Sequence, residues 1–166
     1  MMPSLLNSLE IKAVTNTNAG EMFRLKLRGK LALCVAIGDS HGRGRPVGIL
    51  KHEDFDRPIF FEADLNHKCA SYGTEWVIDT AYDENSYPVE YTSSERGVLY
   101  VNQGGALLRF HRFGNNDDFD GETVDLVTAK FAERTNNDIP VRSWKIWASE
   151  KDRVDPRAQP IVAFGS

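Results

Sequence analysis

The sequence predicts an all-β fold: an antiparallel β-sandwich of jelly-roll or Greek-key type, or a barrel. It would hold about 8–10 short strands and at most one short helix. Three observations carry this. Apolar and polar residues alternate with period two in several segments. Clusters of Gly, Asn, Asp and Pro interrupt those segments every ~8–12 residues. No strand-like run alternates with a long helical pattern, as a parallel α/β sheet would require.

The segment "LEIKAV" (9–14) alternates and runs into the loop-like "TNTNAG". "EMFRLKLRG" (21–29) puts Phe23, Leu25 and Leu27 on one face and Arg24, Lys26 and Arg28 on the other, the mark of a half-buried strand. A turn at Gly29-Lys30 leads to "LALCVAIG" (31–38), which is apolar on both faces and reads as a central strand. "DSHGRGRP" (39–46) reads as a loop, followed by strands in "VGILKHED" and "RPIFFEAD". "EWVIDTAY" (75–82) alternates Trp76, Ile78 and Thr80 against Val77, Asp79 and Ala81. "RGVLYVNQ" (96–103) and "ALLRFHRF" (106–113) flank Gly104-Gly105, a hairpin signal. "TVDLVTAKFAERT" (123–135) carries both helical and strand features, and its β-branched residues favour strand. "VRSWKIWAS" (141–149) alternates, "EKDRVDPRAQP" is a polar loop, and "IVAF" (161–164) forms a last strand.

One globular domain spanning 1–166, with a loose N-terminus at 1–8, fits the length of 166 residues. A chain of this size buries enough surface to fold without a metal or a disulfide. The net charge of −4 argues against a nucleic-acid partner. It is unevenly spread: residues 1–50 carry +4, 51–100 carry −7 and 101–166 carry −1. No apolar run approaches the roughly 20 residues that span a membrane, so no membrane partner is expected. The start "MMPSLLNSL" lacks the basic, long apolar pattern of a signal peptide. Cys34 lies in an apolar run as a small hydrophobe. A bridge to Cys69 fits the count, but two cysteines make no framework. A reducing cytoplasm is the expected setting.

The stretch "GNNDDFDGE" (114–122) is the one metal candidate. Asn116, Asp118 and Asp120, followed by Gly121, match the first half of a calcium loop, in which alternate oxygen donors converge and glycine permits a sharp turn. The twelfth position, which needs a bidentate Glu, is Val127, so the stretch reads first as a soluble hairpin turn. Calcium is the single cofactor that the sequence suggests.

Asp39, Ser40 and His41 name a hydrolytic triad, but consecutive residues diverge and cannot form its relay. Arg43 and Arg45, set among glycines, suggest anion capture instead. His67 and Cys69 share a strand face without a second ligand pair for zinc. His111 lies on a mixed face with Leu107, Arg109 and Phe113, a candidate ligand surface. Trp144 and Trp147 fall on opposite faces, one in the core and one available to a partner or a sugar. Tyr72, Tyr82, Tyr87 and Tyr91 crowd the loops, with Tyr87 and Tyr91 the binding candidates.

These signals point to a non-catalytic binding or assembly module, acting through protein–protein contacts or self-association. Two alternatives stand beside it: a carbohydrate-binding β-sandwich, calcium-assisted at 116–122, and a small hydrolase or isomerase pairing His111 or His41 with a carboxylate such as Asp79. No activated nucleophile, cofactor fingerprint or paired catalytic carboxylate is legible.

Overall fold

The computed structural model describes residues 9–38, 44–64, 67–80, 97–112 and 121–165. The chain is all-β, as the alternation predicts, with fourteen strands among the described residues rather than 8–10. In chain order the elements are β1 (Glu10–Ala13), a 3-10 turn (Val14–Asn16), β2 (Met22–Leu27), β3 (Lys30–Ala36), β4 (Gly44–Lys51) and β5 (Ile59–Asp64). They continue with β6 (Lys68–Gly73), β7 (Val77–Thr80), β8 (Leu99–Val101), β9 (Ala106–Arg112), β10 (Gly121–Asp125) and β11 (Lys130–Phe131). The chain finishes with β12 (Ile139–Val141), β13 (Trp144–Trp147), α1 (Glu150–Val154) and β14 (Val162–Phe164).

The large sheet runs β1-β6-β2-β3-β4-β5-β9-β10-β11, with β8 pairing β9 and β12 pairing β8. A three-stranded sheet, β14-β13-β7, packs across it. Its ladders are antiparallel except β5–β9, where Ile59 faces His111 and Phe60 faces Arg112 in parallel register.

The alternation of β3 organises two cores. Leu33, Val35 and Ile37 point into a core shared with Leu108, Phe110, Val124 and, from the small sheet, Trp144, Ile146 and Val162. Ala32, Cys34 and Ala36 point the other way, to Phe23, Leu25, Val47, Ile49, Ile59 and Val14. The 3-10 turn that carries Val14 packs on β4 and β5 and so covers this second core. Trp144 anchors the small sheet. It stacks on Phe164 with centroids 4.0 Å apart, and its indole N–H donates to the Gly97 carbonyl at 2.9 Å.

Several local expectations change. The β2–β3 turn uses Arg28-Gly29, both left-handed (φ 53° and 77°), one residue earlier than expected. Two consecutive positive φ values match a primed hairpin turn, whose twist suits the strands. The 123–135 segment is a hairpin, not one strand. Ala129 takes φ 57°, and the Asp125 carboxylate accepts from the Val127 and Ala106 N–H groups, which ends β10 and reverses the chain into β11. The polar loop after 149 begins with α1, capped by Ser149, whose Oγ accepts the Asp152 N–H at 3.1 Å. The region read as a loop at 39–46 becomes strand β4 from Gly44 onward.

A Cys34–Cys69 bridge is ruled out by topology. The two residues flank β2 on opposite sides, paired with Phe23 and Leu25. Strands two apart lie roughly 10 Å from each other, beyond the ~7 Å Cα limit for a disulfide. No helix is long and apolar enough to cross a membrane among the described residues.

Candidate functional site

Strand β9 alternates two kinds of residue. Leu108 and Phe110 enter the first core. Leu107, Arg109 and His111 point to the opposite face. Because Ile59 and His111 are ladder partners, this face continues the one that the second core covers farther along the sheet. Over β8–β9–β10 it is met by residues 132–134 instead, which leaves a cleft of about 390 Å³.

Arg109 and His111 form the floor, beside Thr123 and Gly121 from β10. Tyr100, Glu133 and Arg134 form the rim, and the Arg134 guanidinium stands 4.2 Å over the Tyr100 ring. His111 is buried, whereas Arg134 and Glu133 are exposed. Glu122 also lies along the cleft. Its ladder partner is Phe110, so its side chain lies on the other face, where Arg112 binds it at 3.3 Å.

Gly121 is required by close approach. A Cβ there would run into the Phe110 carbonyl oxygen. The expected role of Gly121 as the bend of a calcium loop is therefore not what the structure shows: it is an extended residue opposite His111. Asn116, Asp118 and Asp120 lie outside the described residues, and Val124 is fully buried in the core. No group of three His, Cys, Asp or Glu suited to a metal occurs among the described residues.

A second surface lies at β7. A groove of about 420 Å³ is lined by Trp76, Ile78, Leu126, Val127 and Ala129 with small neighbours, and no charged side chain lines it. Val127 is 64% exposed, and the Trp76 indole N–H is used by the Gly20 carbonyl at 2.7 Å. The only ladder of β7 among the described residues is to β13.

The predicted residues are dispersed. Arg45 is not on a solvent loop. It sits in β4, 1% exposed, on the side of Val47 and Ile49, so it does not present a guanidinium to solvent. Arg43, Tyr87 and Tyr91 lie outside the described residues, as does His41. Tyr72 is a strand residue whose hydroxyl accepts from Arg24 Nε at 3.0 Å. Trp147 is half-buried on the face of β13 opposite Trp144, with its indole N–H enclosed. Cys69 faces the second core, away from any zinc geometry, while His67 approaches Asp64 at 3.4 Å. Asp79 lies on β7 in the small sheet next to Ile78, which packs on the first core, and His111 faces the cleft beyond the large sheet. The first core separates them, so the His111–Asp79 pairing does not form.

Sequence reasoning placed His111 and Arg109 on one face. It missed Tyr100, Thr123 and Arg134, whose signal was only their spacing in neighbouring strand-like runs. No protein family, no curated protein and no solved structure matches the chain.

Proposed function

We propose that the chain is a non-catalytic binding or assembly module that takes an extended segment of a protein partner along β7. One observation carries this reading: an uncharged groove with an exposed Val127 borders a strand whose other edge has no ladder among the described residues. Such an edge offers backbone N–H and C=O groups to an added strand, and flanking pockets take alternate side chains. A partner segment with apolar residues at every second position fits both features. A second copy of the chain is a special case of the same chemistry. A cytoplasmic setting fits the two thiols, which the strand order keeps apart.

The test is selection of displayed peptides on the intact chain, with sedimentation equilibrium for self-association. Enrichment of alternating apolar peptides, or a concentration-dependent dimer, is expected. Val127→Asp changes an exposed residue and should weaken either by at least about tenfold. A monomer that enriches no such peptide, or binding indifferent to Val127→Asp, refutes the proposal.

A further inference from the structure

We infer that the cleft over β8–β9–β10 is a separate site for an anionic sugar or polyol: a small hydroxylated body that carries a carboxylate or a phosphate. The register sets which charged groups the described residues bring to the cleft. Arg109 and His111 occupy alternate positions on the floor, and Arg134 stands at the rim. The carboxylate of Glu122 is removed to the opposite face by its pairing with Phe110 and its contact with Arg112. Among the described residues, Glu133 is the carboxylate at the rim beside Arg134, with Arg109 and His111 on the floor.

Guanidinium groups match carboxylate and phosphate oxygens in a fork geometry. Each has five donors, so a bond made within the fold leaves others for a ligand. The Arg134 group is also held flat over Tyr100, which reduces the freedom it would lose on binding.

Size separates this from capture of a bare anion. The cleft, at about 390 Å³, falls within the range of small-molecule pockets. An inorganic ion would leave most of it to water. The groups around the anion subsite suit hydroxyls: Thr123 and Tyr100 both donate and accept, and Glu133 accepts. Gly121 keeps the floor low beside His111, since no side chain fits there.

Titration calorimetry on the intact chain tests this with four probes: glucuronate, glucose 6-phosphate, glucose and inorganic phosphate. One or both acids should bind, with glucose and phosphate each at least about tenfold weaker. Whichever acid binds more tightly identifies the anion as carboxylate or phosphate. Arg134→Ala alters an exposed residue and should lower acid affinity by at least about tenfold while leaving weak glucose binding unchanged. Arg109→Gln, checked for native circular dichroism, should do the same. Equal binding of glucose and the acids removes the anion from the site. Phosphate as tight as the acids removes the sugar body. No binding by any probe, or folded variants that bind like the original chain, overturns the inference. Val127→Asp should leave these affinities unchanged, so the two sites fail or succeed separately.

Discussion

Glu21 gives the sharpest test of what holds the β1–β6–β2 corner. The residue is 3% exposed, and its carboxylate accepts from Lys12 Nζ at 2.9 Å, Ser71 Oγ at 2.7 Å, and the Asn18 N–H and Nδ2 at 3.0 and 3.2 Å. One side chain thus joins β1, β6 and the turn before β2. Burial alone would raise its pKa. The bonds from Asn18, Lys12 and Ser71 outweigh burial and hold it below the ordinary carboxylate range. Glu21→Gln keeps the volume and removes the charge. Two charge-assisted bonds, from Lys12 and Ser71, lose most of their strength, so the cost should be about 3 kcal/mol. For a chain of this length that lowers Tm by about 6–12 °C. The pH dependence has a definite sign. A depressed pKa contributes stability that is present above the unfolded value and lost as pH falls through the folded one. The gap between the two proteins should therefore be full at about pH 7 and close in acid. Lys12 acts at the other end of the scale. Its raised pKa, set first by the bond to Glu21, contributes below the unfolded lysine value and fades as pH rises through the folded one. Thermal melts of both proteins across pH decide the matter. A loss under about 1 kcal/mol, or one that does not narrow in acid, refutes this account.

Two further perturbations probe the cores. A Cβ on Gly48 would lie 2.5 Å from Phe110 Cε1 and 3.1 Å from Ile37 Cδ1, so Gly48→Ala should destabilise by about 1–3 kcal/mol through overpacking, read by urea unfolding. Burial pushes the Cys34 thiol far up and the Cys69 thiol up to about 11. Because the thiolate is the nucleophile, iodoacetamide should label neither in the native protein at mildly alkaline pH and both in denaturant. Rapid native labelling of Cys34 would mean that the second core opens.

The elements legible in the sequence are those whose burial is written in the period of their own residues. In β2, Phe23 and Leu25 are buried while Lys26 is exposed, and β3 is buried on both faces. Strand β6 is only faintly legible, in the strand face that His67 and Cys69 share, because "KCASYG" is small and weakly β-prone; its place between β1 and β2 rests on backbone pairing. Pro140 lies within β12, which among the described residues pairs only β8, so its missing donor is tolerated at that edge. The helix α1 buries no residue and leaves no apolar stripe to read. Its signal was chemical: Ser149 followed by Glu150 and Asp152 in the first turn. Arg45 was misplaced for a different reason. Charge argues for solvent in general, and no local pattern discloses a partner elsewhere in the fold.

The cleft arises from one sheet face with two kinds of cover. On β3 and β4 that face presents Ala32, Cys34, Ala36, Val47 and Ile49 together with the buried Arg45, and the Val14 turn packs over it. At the Ile59–His111 pair the same face passes to β9, where Arg109 and His111 take the positions that apolar residues hold elsewhere. The Ala132 N–H still bonds the Thr123 carbonyl of β10 at 3.0 Å, and the exposed Glu133 and Arg134 that follow border the cleft. Phe110 and Leu108, between those polar residues in sequence, still lock β9 into the first core. The floor of the cleft is thus held from behind by packing, while its front carries Arg109 and His111. That arrangement lets Arg134 be altered at the rim without loosening the strand that positions Arg109 and His111.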